Sequence, residues 1–152
     1  MSDRFHDQVV LVTGGSRGIG RATAILFGEA GAAVGITYRS RKAEADSVVE
    51  QLSHAGHKAM AVQADFADSA APGIAVEAVV KRWGRLDVLV NNAGLTRDTL
   101  VLRMSEADWD IVIQTNLKAA FLASKAALRP MLKQKYGRIV NVSSLAGVAG
   151  NA

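Results

Sequence analysis

The sequence predicts an α/β protein built on a doubly wound parallel sheet with strand order 3-2-1-4-5. Short apolar runs alternate along the chain with longer segments of helical periodicity, which is typical of repeated β-α-β units. Glycine follows each of the first three helical segments, and a glycine-rich segment, TGGSRGIG, joins the first strand to the first helix. Because crossovers between parallel strands are right-handed, this alternation favours one sheet with helices on both faces.

The elements follow in chain order. Strands are predicted at Val9–Gly14, Ala32–Tyr38, Lys58–Asp65, within Leu86–Gly94 and at Arg138–Ser144. The first helix is predicted from the spacing of Ile19, Ala22, Leu26, Phe27 and Ala30, and it ends at Gly31. The other helices are predicted at Lys42–Ala55, Ala70–Trp83 and Glu106–Lys133. No linker or repeat interrupts the pattern, so residues 1–152 are predicted to form one domain.

Composition excludes several classes of protein. The chain has 152 residues and no cysteine, which excludes disulfides, a thiolate nucleophile and cysteine-based metal sites. His6, His54 and His57 lack the spacing of metal ligands, so no metal site is predicted. No apolar run approaches the roughly 20 residues of a membrane helix. The polar start, MSDRFHDQ, does not resemble a signal peptide, so we expect a cytoplasmic protein with no membrane partner.

The net charge of +4 does not indicate nucleic-acid binding. The basic residues are scattered, apart from RSRK and KQKYGR, and aromatic residues make up only 5% of the chain. A nucleic-acid surface usually shows a dense basic cluster or aromatic stacking positions. We therefore expect no nucleic-acid partner.

The glycine-rich segment predicts a dinucleotide site. Gly14, Gly18 and Gly20 lie between an apolar strand and an amphipathic helix, where a pyrophosphate can approach the backbone and the helix N-terminus. The alternative is a plain glycine turn. Candidate cofactor contacts in this segment are Thr13, Gly14, Ser16, Arg17, Gly18, Ile19 and Gly20.

The end of the second strand indicates which nicotinamide cofactor is bound. The segment TYRSRK places Arg39, Ser40 and Arg41 there, and no acid occurs between Glu29 and Glu44. An acid at this position binds the ribose hydroxyls of NAD, whereas basic groups accommodate the 2′-phosphate of NADP. With Arg17 at the same corner, the sequence favours NADP. The alternative is a solvated basic loop.

Polar and small residues end the third and fourth strands. Asp65, followed by Phe66, is placed to accept a hydrogen bond from the adenine amino group, or simply to cap a turn. In the segment NNAG, Asn92, Ala93 and Gly94 leave room for a ligand and supply hydrogen bonds to neighbouring backbone. All five are candidate cofactor contacts.

Asn116 is an anomaly in the long helix. It lies within an apolar stripe formed by Trp109, Val112, Ile113, Leu117, Ala120, Phe121 and Leu128, in which Trp109 is expected to be buried. A buried amide costs stability unless it is hydrogen-bonded. Asn116 is therefore either a structural amide that holds a helix irregularity or a polar group kept for catalysis.

These segments together resemble the short-chain dehydrogenase/reductase family, whose Rossmann-type fold matches the predicted sheet. TGGSRGIG, NNAG, TNL and GRIVNVSS occur in the family's order and spacing along the whole chain. The segment from Thr96 to Leu132 is especially similar to bacterial reductases of 3-oxoacyl thioesters carried by acyl carrier protein. The resemblance implies NADP as cofactor, a small-molecule or carrier-bound thioester substrate and a homotetramer.

The resemblance also implies a catalytic tetrad of Asn, Ser, Tyr and Lys. Asn116 and Ser144 match the first two members by position. No Tyr-x-x-x-Lys occurs in these 152 residues, because neither Tyr38 nor Tyr136 is followed by lysine four residues later. The chain is therefore expected to be the amino-terminal part of a longer reductase, with a sheet that is incomplete on its carboxyl-terminal side.

Two alternatives to carrier-bound substrates stay open. One is a reductase or dehydrogenase of another small carbonyl or alcohol, such as acetoacetyl-CoA, a sugar or a steroid. The other is an inert nucleotide-binding fragment. The basic residues Arg129, Lys133, Lys135 and Arg138 are interpreted either as a dock for an acidic carrier or as a helix end favoured by the helix dipole.

Overall fold

A computed structural model describes residues 4–150 and shows one parallel sheet of five strands in the order β3-β2-β1-β4-β5. The strands are β1 Val9–Val12, β2 Ala33–Tyr38, β3 Ala59–Gln63, β4 Val88–Asn91 and β5 Arg138–Asn141. The α-helices are α1 Gly18–Glu29, α2 Lys42–His54, α3 Ala71–Trp83, α4 Glu106–Ile113, α5 Ala119–Gln134 and α6 Ala146–Ala149. A short 3₁₀ turn, Val101–Arg103, precedes α4. The predicted fold class and strand order are confirmed.

Alternating residues of the strands divide the core between two faces. Val10 and Val12 of β1 face α1 and α2, where Val48 and Leu52 are buried against the sheet. Val9 and Leu11 of the same strand pack with α3 and α5 on the other face. Both faces of β1 are therefore covered, as the continuous apolar run of this strand predicts. Because all strands are parallel, their carboxyl ends meet at one edge of the sheet.

The apolar stripe predicted for α1 is only partly correct: Phe27 packs against the core, but other members do not. Ile19 and Leu26 are 67% and 65% exposed, and the buried residues of this helix are Gly20, Ala24 and Gly28. A side chain at Gly28 would approach Leu52 Cδ2 to 2.5 Å. The helix thus lies against its neighbours on its smallest residues, because they allow close approach.

The predicted long helix is continuous but irregular. Between α4 and α5, residues Gln114–Lys118 form a π-helical turn. Several large apolar residues of this segment are exposed, although Met131 is buried, and the expectation that Trp109 lies in the core is wrong, because this side chain is 59% exposed. We call this surface the α4–α5 stripe; it comprises Trp109, Ile113, Leu117, Phe121 and Leu128. None of the described helices is both long and apolar enough to cross a bilayer.

A buried carboxylate anchors the amino-terminal edge of the sheet. Asp87 is 0% exposed and accepts hydrogen bonds from the Val9 amide at 2.8 Å and from two nitrogens of Arg85 at 2.7 and 2.8 Å. Gln134, at the end of α5, donates to the same carboxylate at 3.3 Å. The hydrogen bonds to Asp87 raise the pKa of the Arg85 guanidinium above its ordinary value. This network joins β1, β4 and α5.

Candidate functional site

The loop between β1 and α1 lies at the carboxyl edge and is shaped by close backbone contacts. Gly14 and Gly18 have φ angles of 65° and 55°, a region that favours glycine. A Cβ at Gly14 would lie 2.9 Å from the Ala93 Cα, and one at Gly20 would overlap the Gly14 carbonyl oxygen and Asn92 Nδ2. The predicted glycines therefore bring the loop against the end of β4.

Thr13 and Asn92 hold this loop to β4. The Thr13 hydroxyl donates to the Val90 carbonyl at 3.3 Å and accepts from the amides of Asn92 and Ala93, each at 3.0 Å. Asn92 Nδ2 donates to the carbonyls of Thr13 and Gly14 at 3.0 and 3.2 Å. The Thr13 hydroxyl and Asn92 Nδ2 are therefore bonded to backbone, and both groups help to set the shape of the loop.

Thr37, at the end of β2, is a residue that the sequence interpretation missed. Its buried hydroxyl accepts from the Gly14 amide at 3.0 Å, and its carbonyl accepts from the Gly15 amide at 3.0 Å. The loop is thereby fixed from β2 as well as from β4. A polar residue inside the apolar run AAVGITY was the available signal, because a buried hydroxyl needs a partner.

The N-terminus of α1 is open to an anion. Arg17 precedes the helix without a side-chain cap, and the first turn contains no acid. Gly18 is exposed, and a Cβ built there would meet nothing within 4 Å. Free amides of a 12-residue helix and a close, unobstructed backbone suit a pyrophosphate, so the residues present fit a dinucleotide. Ser16 is buried and Ile19 exposed at the margins of this cradle.

The basic residues after β2 differ in their engagement. Arg41 is ion-paired with Glu44 at 2.6 Å, and Lys42 with Asp46 at 2.6 Å, a contact that raises the Lys42 pKa. Arg39 and Arg17 are exposed, and neither makes an ion pair with another described residue. Gln63 Nε2 donates to the Arg39 carbonyl at 3.0 Å and fixes this loop against β3. Ser40 is exposed between the two arginines.

Asp65 and Phe66 follow β3 at the same edge. Asp65 Oδ1 accepts from the Ala67 amide at 3.0 Å, so it caps a turn, as the second interpretation of this residue had it. The Phe66 side chain is 5% exposed and packs with Ala71 and Ala119. A cofactor contact from Phe66 would therefore have to come from its backbone, and its carbonyl already accepts from Gln114.

Asn116 lies in the π-helical turn and is exposed rather than buried in the apolar stripe, and its amide is bonded to the backbone of Leu95. Its Oδ1 accepts from the Leu95 amide and its Nδ2 donates to the Leu95 carbonyl, both at 2.9 Å. A Cβ at Gly94 would lie 3.4 Å from this Oδ1. The side chain therefore fixes the loop that follows β4 to the irregular part of the helix, which agrees with the structural alternative.

Ser144 lies beyond β5 at the carboxyl edge and is exposed. Its Oγ accepts from the Ala146 amide at 3.2 Å, at the start of the short helix α6. The strand before it is fixed to β4, where Asn91 Nδ2 donates to Asn141 Oδ1 at 2.8 Å and to Ser124 Oγ at 3.1 Å. The fold thus places Ser144, Asn116 and the glycine loop at one edge, without a hydrogen bond between the two candidate catalytic side chains.

Comparison with known sequences gives one consistent family. The family model for short chain dehydrogenase matches residues 8–152. A 3-oxoacyl-[acyl-carrier-protein] reductase from Synechocystis sp. is 48% identical over 144 residues, which are 95% of this chain and 58% of that protein. A protein of the same description from Staphylococcus aureus is 47% identical, over 93% of this chain and 57% of its own length. The chain thus spans less than two thirds of these relatives.

Solved structures resemble the chain over nearly its full length. A short chain dehydrogenase from Burkholderia cenocepacia in complex with NADP superposes with a TM-score of 0.92 at 38% identity, covering 98% of this chain and 60% of that one. A doubly substituted short-chain dehydrogenase/reductase from Serratia marcescens gives 0.89 at 34% identity, covering 97% and 63%. Both comparisons bear out the resemblance seen in the sequence.

Proposed function

We propose that this chain, which belongs to the short-chain dehydrogenase family, is the nucleotide-binding part of an NADPH-dependent reductase. Its substrate is a 3-oxoacyl thioester bound to acyl carrier protein, which becomes the 3-hydroxyacyl form in fatty acid biosynthesis. The relatives from Synechocystis and Staphylococcus aureus are named 3-oxoacyl-[acyl-carrier-protein] reductases, which supports the substrate class. A cytoplasmic location and a tetrameric assembly belong to the same proposal.

The observation that carries the proposal is the glycine loop. Its backbone is fixed by Thr13, Thr37 and Asn92, while the amides at the start of α1 stay open. Because the glycine loop is fixed before the ligand binds, little free energy of binding is lost in ordering it. These residues would hold the pyrophosphate, and NADPH, when bound, supplies the hydride for reduction of a carbonyl carbon.

The candidate substrate side of the site is held by two residues. Asn116 fixes the loop after β4, so it acts as a positioning residue. The exposed Ser144 hydroxyl can donate its proton in a hydrogen bond to a substrate oxygen, because the bond from the Ala146 amide uses only a lone pair of Oγ. The alkoxide formed by hydride transfer also needs a proton donor, which the family resemblance assigns to a tyrosine beyond these residues.

Selectivity for the 2′-phosphate tests the cofactor assignment. In a protein that includes the remaining catalytic residues, reversing Arg39 and Arg41 to glutamate should weaken NADPH binding at least about tenfold more than NADH binding. Arg21→Glu is the matched control, because this arginine is exposed on α1 and hydrogen-bonded to Gln51. Dissociation constants for both cofactors give the measurement, and an equal loss for the two would refute the assignment.

The inert-fragment alternative follows from the absence of Tyr-x-x-x-Lys in these 152 residues. We expect the purified chain to show no turnover of a 3-oxoacyl thioester with NADPH, because it lacks the proton donor. Binding of NADPH, measured separately by calorimetry, distinguishes a cofactor-competent fragment from an unfolded one. Turnover by this chain would overturn the assignment of the missing tyrosine.

The carrier dock is proposed at Lys133, Lys135, Arg138 and Arg129. These residues lie at the amino-terminal edge of the sheet, because α5 ends there and β5 begins. Ser144 lies six residues after Arg138, and six residues of extended chain span about 20 Å. A carrier at this patch must therefore reach across the sheet or serve another subunit's site.

Reversal of Lys133, Lys135 and Arg129 to glutamate tests this dock. In an active enzyme, it should raise KM for a carrier-bound substrate about tenfold and leave a small thioester analogue unchanged, because charge here steers association. The salt dependence of KM is the second measurement. Equal effects on both substrates would exclude the patch as a carrier dock.

A further inference from the structure

A trough runs between α3 and α5 on the face of the sheet opposite α1 and α2. It encloses a volume of about 1050 Å³, and its floor is formed by Val76, Val80, Trp83, Leu122 and Ala126. We call it the α3–α5 groove. Trp83 is only partly buried there, so its ring contributes apolar surface that the chain does not cover. Partly exposed apolar side chains between two helices offer a surface on which another apolar face can pack.

The rim of the groove is strongly basic. Lys81 lies on the α3 side, and Lys125, Arg129 and Lys133 lie on the α5 side. None of these four makes an ion pair with another residue in the range 4–150. The fifth cation, Arg85, is already bound to Asp87, and Glu77 is the one acid among the described residues that line the groove. The groove therefore presents an excess of positive charge around its apolar residues.

The spacing of the α5 cations gives the shape of the complementary charge. Lys125, Arg129 and Lys133 are four residues apart and lie on one side of the helix. At 1.5 Å per residue, the row is about 12 Å long, with a step of about 6 Å. Acidic residues placed four apart on another helix have the same step, whereas a single carboxylate or phosphate meets only one of these cations.

We infer that the α3–α5 groove docks an acidic amphipathic helix of a partner protein. Its apolar face would cover Trp83, Val80 and Leu122, and its acidic edge would run along the lysines and arginine of α5. A groove between two helices that receives the apolar face of a third helix is a recurring mode of peptide recognition. This inference does not depend on the proposed reductase activity.

The groove is distinct from the two other surfaces of the long helix. Lys135 and Arg138 of the proposed carrier dock do not line it. The α4–α5 stripe residues Phe121 and Leu128 do not line it either. Variants can therefore separate the three surfaces, although Arg129 and Lys133 are shared between the groove and the carrier dock.

The test uses a capped 16-residue peptide with glutamate at every fourth position and leucine along the adjacent face. Its binding to the chain is measured by Trp83 fluorescence in a Trp109→Phe background, since the chain has two tryptophans. The control peptide carries glutamine in place of each glutamate. Lys81→Glu with Lys125→Glu reverses charge in the groove alone, and Lys135→Glu is the matched control in the carrier dock.

We expect the glutamine peptide to bind at least about tenfold more weakly, and the Lys81→Glu, Lys125→Glu protein to lose a similar factor, since charge sets the selectivity. Lys135→Glu should change binding less than about twofold. Equal binding of both peptides, or equal loss with Lys135→Glu, would overturn the inference. Sedimentation of the chain alone must also be unchanged by Lys81→Glu with Lys125→Glu, because loss of self-association would show that a second copy occupies the groove.

Discussion

The nucleotide-binding half of the molecule and the half formed by β5 with the long helix differ in how completely they are covered. In β1, every residue is buried, and the same is true of β4. In β5, Val140 is 47% exposed, and beyond it Val142 is 41% exposed. The α4–α5 stripe adds Phe121 and Leu117, which are 61% and 64% exposed. The glycine loop thus rests on a closed core, and Ser144 follows a strand that is open on one side.

This difference separates what each half can do alone. The cradle at the start of α1 takes its shape from hydrogen bonds within the described residues, so it is complete in this chain. Ser144 depends on β5, whose outer edge has no strand beside it in the described sheet. An uncovered strand edge and an apolar helix face both favour association with other chain segments or other copies. We therefore expect cofactor binding to be less sensitive to the missing neighbours of β5 than the arrangement of the candidate catalytic residues Asn116 and Ser144.

Substitution of one buried and one exposed leucine by alanine tests the difference in coverage between the two halves, and we expect it to give the largest effect on stability. Leu89 of β4 is 0% exposed, and Leu128 of α5 is 47% exposed. Leu89→Ala should lower the free energy of unfolding by about 2–5 kcal/mol, because it leaves a cavity in a packed core. Leu128→Ala should cost less than about 1 kcal/mol. Urea denaturation of both variants checks this, and equal losses would mean that the stripe is covered in solution.

Asp87 joins the two halves at the opposite edge from the site. Asp87→Ala removes its bonds to Val9, Arg85 and Gln134 and should destabilise the chain by about 2–3 kcal/mol, since hydrogen bonds to a buried charge are lost. Asp98→Ala, at an exposed position, should stay within about 0.5 kcal/mol of the parent. Thermal unfolding gives the comparison. If the Asp87→Ala variant were as stable as Asp98→Ala, the hydrogen bonds of Asp87 would not contribute to the stability of the chain.

The uncovered half should also control self-association. Phe121→Gln combined with Leu128→Gln should weaken association of the chain about tenfold, or about 1.4 kcal/mol, because it removes exposed apolar surface. Leu26→Gln is the control, since Leu26 is 65% exposed on α1, outside the stripe. Sedimentation velocity over a range of concentrations measures the effect. A cooperatively melting monomer in the parent chain would contradict the expectation of association.

Substitution of Gly18 and Gly73 by alanine should give the smallest changes in the free energy of unfolding, and the two changes should have opposite signs. A Cβ meets nothing within 4 Å at either Gly18 or Gly73, but only Gly18 has a positive φ, 55°. Gly18→Ala should cost about 1 kcal/mol through backbone strain. Gly73→Ala, within α3, should stabilise by about 0.4–1 kcal/mol. The same sign for both variants in urea denaturation would show that the φ of Gly18 is not what fixes the nucleotide loop.

The sequence predicts the elements that repeat a local pattern and misses those that depend on packing. Apolar runs and terminal glycines placed the five strands and the helices up to α5 within a few residues, but the 3₁₀ turn Val101–Arg103 and the short helix α6 were not predicted. The pattern failed for Trp109 and Ile19, because spacing identifies an apolar face without saying whether anything covers it. Thr37 and Gln114 were missed because their partners lie far away in the chain. The roles of the candidate site residues toward ligands stay predictions.

The π-helical turn Gln114–Lys118 changes the direction in which side chains point along the continuous helical segment formed by α4 and α5. A π turn fits an extra residue into the helix, so side chains after it are rotated by about a quarter turn relative to an uninterrupted α-helix. Beyond this turn, α5 packs with α3, and within the turn Asn116 is bonded to Leu95. Deletion of one residue here would restore the regular α-helical repeat, so the side chains of either α4 or α5 would no longer face their present direction. The π-helical turn is therefore equivalent to a one-residue insertion in an α-helix. Substitutions around it should be tolerated better than changes in chain length.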